Sequence, residues 1–274
     1  MSPPRSHSLR ESLLVRPGSR PHLADVDAGA THGRTKARSA VELGRGLDRL
    51  TGLQDRLWAE AKHPILIVLQ GIDAAGKDGT VRHVMTAFNP MGCIVTSWKA
   101  PTPVELAHDY LWRIHQRTPG KGEISIFNRS HYEDVLVVRV HDLVPKDVWS
   151  RRYDEINAFE KLLTDAGTTV LKFFLYIDRD EQRARLQARL DDPSKRWKFR
   201  LGDLEERKRW DDYVAAFEDM LERCSTDVAP WYVIPANRKW FRNLAVAEIL
   251  ADTLDELKPR YPEPEEDLTG VVVE

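Results

Sequence analysis

The chain has 274 residues, 42% hydrophobic and 31% charged, a length that suits one α/β domain with extensions around a single core. Its 41 Lys and Arg stand against 43 Asp and Glu, a formal net charge of −2. That balance argues against a polyanion binder driven by global charge, so any polyanion must be held by a local basic patch. The longest aliphatic run, Ile65 to Leu69, falls far short of the roughly 20 apolar residues of a membrane-spanning helix. No apolar stretch follows Arg5 and Arg10 as a secretory signal requires. Cys93 and Cys224 lack metal-ligand spacing and read as reduced thiols of a cytoplasmic protein.

Residues 1 to about 38 carry seven basic residues against Glu11, Asp25 and Asp27. Such an arm orders on contact with the domain, stays a tail, or serves as an Arg-rich transit peptide. From Ala40, the apolar residues Val41, Leu43, Leu47, Leu50, Leu53 and Leu57 recur at three and four and predict an amphipathic helix to about Lys62. Gly44, Gly46 and Gly52 weaken it. His63-Pro64 stops it, because the residue before proline is pushed out of the α region. Ile65 to Gln70 then has the continuous apolar character of a strand buried on both faces. Similar runs follow at 93–98, 124–127, 169–177 and 231–234. Helical spacing fills the intervals at 80–88, 104–116, 148–165, 181–190, 204–223 and 241–257. Strand alternating with helix predicts a five-stranded parallel sheet with helices on both faces, a three-layer α/β sandwich. Residues 135–138 fit either a strand by composition or a helix capped from Asn128-Arg129-Ser130. Residues 259–274 form an acidic, proline-containing tail.

Gly71-Ile72-Asp73-Ala74-Ala75-Gly76-Lys77-Asp78-Gly79 lies where the first strand ends and a helix begins. Its G-x-x-x-x-G-K spacing lets backbone amides turn around phosphate oxygens while the lysine reaches the transferred phosphate. A tight turn alone would give Lys77 no packing reason. Asp78 stands where Ser or Thr usually binds magnesium, so a carboxylate, Asp73 or Asp78, must serve. Asp78 fits equally as a favourable charge at a helix start. Asp73 is the first choice for metal, since a carboxylate beside bound phosphates repels them unless a cation intervenes.

The third strand ends in Phe127-Asn128-Arg129-Ser130-His131-Tyr132-Glu133-Asp134, which should face the same crevice at the carboxyl ends of the strands. Arg129 is placed to clamp phosphate oxygens or to form a surface salt bridge. Glu133 and Asp134 complete a magnesium shell or point to solvent from a first helical turn. His131 suits packing or capping better than base catalysis, because transfer to a phosphate acceptor removes no proton. Residues 183–209 hold ten basic residues against five acidic ones. Arg185 and Arg189 share a helix face, Asp192-Pro193-Ser194 breaks the helix, and Lys195 to Arg200 sit on a loop. Helix, basic loop and helix together describe a lid over a phosphate site; a solvated charged face is the other reading. Trp197 and Trp210, interleaved with these charges, would suit stacking on a base. At the end of the last strand, Asn237 and Lys239 would reach the crevice.

Taken together, the runs 69–80 and 127–135, the segment from Arg185 to Lys198, and Pro230-Trp231 with Ile234-Pro235-Ala236-Asn237 resemble the polyphosphate kinase 2 family over about residues 15–260. The resemblance implies a P-loop kinase-like fold with a helical lid at about 181–210, spanning 39–258 after the arm. It implies Mg2+-dependent transfer of the terminal phosphate of inorganic polyphosphate to a nucleoside mono- or diphosphate. By the same resemblance Asp73, Lys77 and Arg129 are catalytic. Gly71, Ala74, Ala75, Gly76, Asp78, Gly79, Asn128, Glu133 and Asn237 bind nucleotide or phosphate, and Arg185, Arg189, Lys195 and Lys198 hold the polyphosphate chain. Many members have aspartate where this chain has Asn128 and tryptophan where it has His131; the second metal carboxylate must then come from elsewhere, and Asp134 is expected to join Asp73. Asn128, His131, Glu133 and Asp134 resemble the subgroup that uses monophosphates as well as diphosphates. The resemblance makes the arm part of the domain, turns residues 135–138 towards helix, and implies a homodimer or homotetramer without nucleic-acid or membrane partners. Two other readings share these residues: an ATP-dependent nucleotide or small-metabolite kinase, and a non-catalytic binder of polyphosphate or nucleic acid.

Overall fold

The computed structural model describes residues 8–273. Strands β1 (Ile65–Gln70), β2 (Cys93–Ser97), β3 (Ile124–Asn128), β4 (Thr169–Tyr176) and β5 (Trp231–Pro235) make one parallel sheet in the order β2-β3-β1-β4-β5. The helices are α1 (Leu9–Leu13), α2 (Lys36–Glu60), α3 (Lys77–His83), α4 (Pro103–Leu106), α5 (Trp112–His115) and α6 (Val137–Val140). They continue with α7 (Lys146–Trp149), α8 (Arg152–Asp165), α9 (Arg179–Asp191), α10 (Gly202–Lys208), α11 (Trp210–Cys224) and α12 (Lys239–Leu257). None of the described helices is long and apolar enough to cross a membrane.

Every residue of β1 is buried because the strand lies between β3 and β4 with a core on each face. Ile65, Ile67 and Leu69 enter the core built with α2 and α12, while Leu66 and Val68 enter the one built with α8 and α11. Two cores on alternate residues produce the unbroken apolar run in the sequence. Helices α2 and α12 approach closely at Gly46, where an added Cβ would lie 3.7 Å from the Ala247 Cβ. Arg49 joins them further by pairing with Asp252 and Asp255.

Helix α2 starts four residues before Ala40, since its first turn, Lys36-Ala37-Arg38-Ser39, carries no apolar periodicity. The arm packs on the domain from Ser8 onward; residues 1–7 lie outside the described residues. Leu9 and Leu13 are buried, Leu14 bridges Tyr232 in antiparallel fashion, and the Val15 amide donates to Trp231 O at 2.9 Å. The arm thereby covers the open edge of β5.

Four predicted helices are interrupted. Residues 104–116 divide into α4 and α5, because Asp109 turns its carboxylate onto the Leu111 amide at 3.0 Å and offers the backbone a turn in place of a helix. Breaks at Ser150-Arg151 and Arg209 separate α7 from α8 and α10 from α11, and α3 gives way to a 3-10 turn at Met85–Ala87. Residues 131–140 form a 3-10 turn at His131–Asp134 followed by α6, so the helical alternative holds there. Residues 259–273 form neither helix nor strand, and Tyr261 donates to Asp55 at 2.6 Å.

Candidate active site

Strands β1 and β3 end side by side, Leu69 opposite Asn128, and the chain turns out of both into one crevice, as parallel α/β sheets do at their carboxyl ends. At Gly71 a Cβ would meet Leu175 O at 2.6 Å, and at Gly76, with φ +107°, it would meet the Arg242 guanidinium at 1.9 Å. Only glycine fits either position. Ala74 and Arg129 hold positive φ of 68° and 63° without being glycine, a strain of order 1–3 kcal/mol each that concentrates at this site.

Lys77 is buried and donates from Nζ to Gly71 O at 2.5 Å. Burial, seconded by the charge of Arg129, pushes its ammonium down to about 8, against the pull of Asp73, Glu133 and Asp78. Arg129 spans two carboxylates, reaching Asp73 Oδ1 at 2.9 Å and Glu133 Oε2 at 3.2 Å; Glu133 foremost holds its guanidinium above the ordinary value, against desolvation. Gln70 Nε2 fixes the far oxygen of Glu133 and the Ser130 hydroxyl, both at 3.1 Å. Asn128 Nδ2 donates to Asp78 Oδ1 at 2.7 Å. Asp73, Lys77, Asp78, Asn128, Arg129 and Glu133 thus converge, and Asp73, Arg129 and Glu133 line a small cleft of about 30 Å³ together with Glu206, Tyr213 and Phe217.

A glycine loop with a buried lysine, facing an arginine held ready by two carboxylates, can bind phosphates and stabilise charge moving between them. Among the described residues no three His, Cys, Asp or Glu side chains form a ready-made metal cage. Magnesium does not need one, because it takes one or two carboxylates and completes its shell with phosphate oxygens and water. Asp73 and Glu133, both paired with Arg129, are the cleft carboxylates that could offer such oxygens.

The family model of Polyphosphate kinase 2 (PPK2) matches residues 34–262. The chain belongs to the polyphosphate kinase 2 family. It is 58% identical over 226 residues, 82% of this chain and 85% of the relative, to an AMP/ADP-polyphosphate phosphotransferase of Meiothermus ruber. It is 46% identical over 229 residues, 79% of each chain, to an ADP-polyphosphate phosphotransferase of Rhodopseudomonas palustris. The crystal structure of polyphosphate kinase 2 from Arthrobacter aurescens TC1 superposes with a TM-score of 0.92 at 45% identity, covering 96% of this chain and 95% of that one.

In this polyphosphate kinase 2 family member three expected site residues are placed differently. Asp134 binds Arg152 at 2.9 Å instead of joining Asp73. Successive residues of a 3-10 turn point about 120° apart, so Glu133 takes the crevice side and Asp134 the α8 side. Burial pushes the Asp134 carboxyl up to about 6, against the opposing charges of Arg152 and Arg113. Arg185 lies one turn before Arg189 on the same face of α9, as the spacing requires, but its guanidinium turns inward. Its Nη1 donates to Ala74 O and Ala75 O at 2.9 Å each, and its Nη2 to Ala236 O at 2.5 Å and Asn237 O at 3.1 Å. It braces the glycine loop from behind. Asn237 spends its side chain on Asp178, donating to Oδ2 at 2.5 Å and accepting the Asp178 amide at 3.2 Å, which ties the end of β5 to the start of α9.

Arg189 approaches Asp203 at 3.7 Å. Lys195 and Lys198 are exposed, the latter 5.0 Å over the Trp197 ring. Beneath the 3-10 turn His131 is fully buried, with Nε2 3.2 Å from Glu160 Oε1, in keeping with a packing role. Glu160 also accepts from Tyr132 OH at 2.7 Å and Lys172 Nζ at 2.5 Å, and Lys172 donates further to Tyr132 OH at 2.8 Å and Cys224 O at 2.7 Å. Sequence reasoning missed Gln70, Gln182, Tyr213 and Arg242. Gln70 had a signal, a polar end to an apolar strand. Gln182, which donates to Asp73 O at 3.2 Å, had none.

Proposed function

We propose that this chain transfers the terminal phosphate of inorganic polyphosphate to a nucleotide, ADP or AMP, with Mg2+ as the required ion. The observation that carries it is the convergence of Lys77, Asp73 and Arg129 on one glycine loop, in a chain whose basic segment presents exposed Lys195 and Lys198. A long anionic donor accounts for a strongly basic segment on a nearly neutral chain. Lys77, poised near 8 by burial, becomes fully charged when phosphate oxygens approach, and its cation then offsets charge on the phosphate in transfer. Arg129 needs no search for its conformation, since Asp73 and Glu133 already orient it. Gln70 keeps Glu133 in place. Magnesium, held through Asp73 and Glu133, would neutralise the facing phosphates and let a carboxylate stand inside a phosphate loop.

The test is nucleotide production by purified protein with magnesium, long-chain polyphosphate and either ADP or AMP, resolved by chromatography, with Lys77→Ala as control. ATP from ADP, and ADP followed by ATP from AMP, is the expected result. Product from ADP alone would narrow the acceptor to diphosphates. Phosphorylation only when ATP replaces polyphosphate would refute the donor assignment.

A further inference from the structure

The second turn of α12 delivers Arg242 to the back of the glycine loop. Arg242 is 2% exposed. A Cβ on Gly76 would lie 1.9 Å from its Nη1, and a Cβ on Gly79 2.9 Å from its Nη2. Glycine inside a helix weakens it, and a side chain at Gly79 in α3 would crowd the Arg242 guanidinium. Nε and Nη2 both donate to Asn243 Oδ1, at 3.1 and 2.8 Å. Among the described residues no carboxylate pairs with it. Its charged neighbours are cations: Arg185, which braces the same loop, and Lys239. Burial and the charge of Arg185 hold the Arg242 guanidinium down to about 10.

Buried arginines are ordinarily matched by an anion, because a desolvated charge without one destabilises the fold. A methionine would fill the same volume without that cost, so packing does not explain the residue. Local destabilisation kept beside a phosphate loop points to function.

We propose that Arg242 is a positioning residue for phosphate transfer, a guanidinium whose charge is matched only when substrate phosphates occupy the loop at Gly76 to Gly79. This rests on the phosphate-transfer reading above and adds a residue to it. Arg242 acts through the loop: bound phosphates draw the loop and guanidinium together, and the electrostatic strain present without them is relieved on binding.

The experiment compares wild type with Arg242→Met, Arg242→Gln and Arg242→Lys, using the full chain. Melting temperature is measured with and without tripolyphosphate and magnesium, and kcat/KM with long-chain polyphosphate and ADP. The expected result for Met is a melting temperature equal to or above wild type without phosphate, less than half the wild-type rise on adding tripolyphosphate, and at least a tenfold lower kcat/KM. Lys should retain most of the phosphate-induced rise. If Met does not fold, Gln decides by the same phosphate-dependent readouts. A phosphate-induced rise and a kcat/KM both within twofold of wild type in the uncharged variant would overturn the proposal, whatever the basal melting temperature. Wild-type turnover with polyphosphate tests the underlying reading separately, and the tripolyphosphate-induced shift needs no turnover.

Discussion

Removing Lys172 should expose how much the segment around Arg129 and Glu133 depends on the charge pair beneath it. Lys172 and Glu160 are fully buried, and Lys172→Met leaves the carboxylate with only Tyr132 and His131. Loss of one partner from a buried pair costs about 3–5 kcal/mol, which at about 2–4 °C per kcal/mol for a domain of this size lowers the melting temperature by roughly 10 °C. The loss should depend on pH with a definite sign. In the wild type, burial first and Lys172 in addition hold the His131 imidazole below its ordinary value, while Glu160 opposes them. Without Lys172, Glu160 acts with one opposing charge fewer, and His131 protonates more readily. Raising the folded value of a histidine that burial has depressed below 6.5 lessens the stability it takes away on protonating, so relative to wild type the change favours the variant at low pH and vanishes once the imidazole is neutral in both. The deficit of Lys172→Met should therefore be largest at pH 8 and shrink near pH 5.5. The double variant Lys172→Met/Glu160→Gln should recover most of the loss, since no charge remains buried. Thermal unfolding at the two pH values checks all three. A deficit below about 1 kcal/mol at pH 8, or one equal at both pH values, would refute the reasoning.

Because burial holds Lys77 near 8, kcat/KM for polyphosphate should fall as pH rises through about 8, whereas kcat should hold to higher pH once bound phosphates restore the charge; a flat kcat/KM profile to pH 10 contradicts this. Glu133→Gln should lower kcat by about a hundredfold and weaken magnesium activation. Asp134→Asn should spare magnesium activation and lower the melting temperature, because Arg152 loses a buried partner; magnesium titrations of turnover distinguish the two. Lys195→Ala/Lys198→Ala should raise KM for polyphosphate by about tenfold at low salt and leave KM for ADP unchanged, whereas Arg185→Ala should lower kcat with either substrate varied, as its loop contacts predict.

The central strand was legible because a parallel strand buried on both faces must be apolar throughout, as Ile65 to Leu69 are. The loop was legible because the chemistry of phosphate binding restricts Gly71, Gly76 and Lys77 by spacing alone. Helix interruptions were not, since the carboxylate of Asp109 competes for the backbone over a single hydrogen bond. Which of the two carboxylates faces the crevice was hidden because neighbouring residues of a helical turn diverge by about 120° or a little less, and the sequence does not show that Arg152 lies on the Asp134 side. The inward contacts of Arg185 were not legible, because helical spacing places it with Arg189 and says nothing about which neighbour that face meets. Arg242 left only an indirect mark, a glycine at position 79 inside a helix, whose close neighbour lies on an element far along the chain.

The four carbonyl bonds of Arg185 also divide the basic segment mechanically. Two end on Ala74 and Ala75 and two on Ala236 and Asn237, so the first half of α9 is bolted to the floor of the site from both sides. A doorpost fixed in this way cannot swing. In the reading proposed above, any movement over a phosphate chain would be left to the segment after Pro193, which carries the exposed Lys195 and Lys198, while the glycine loop braced by Arg185 would stay fixed.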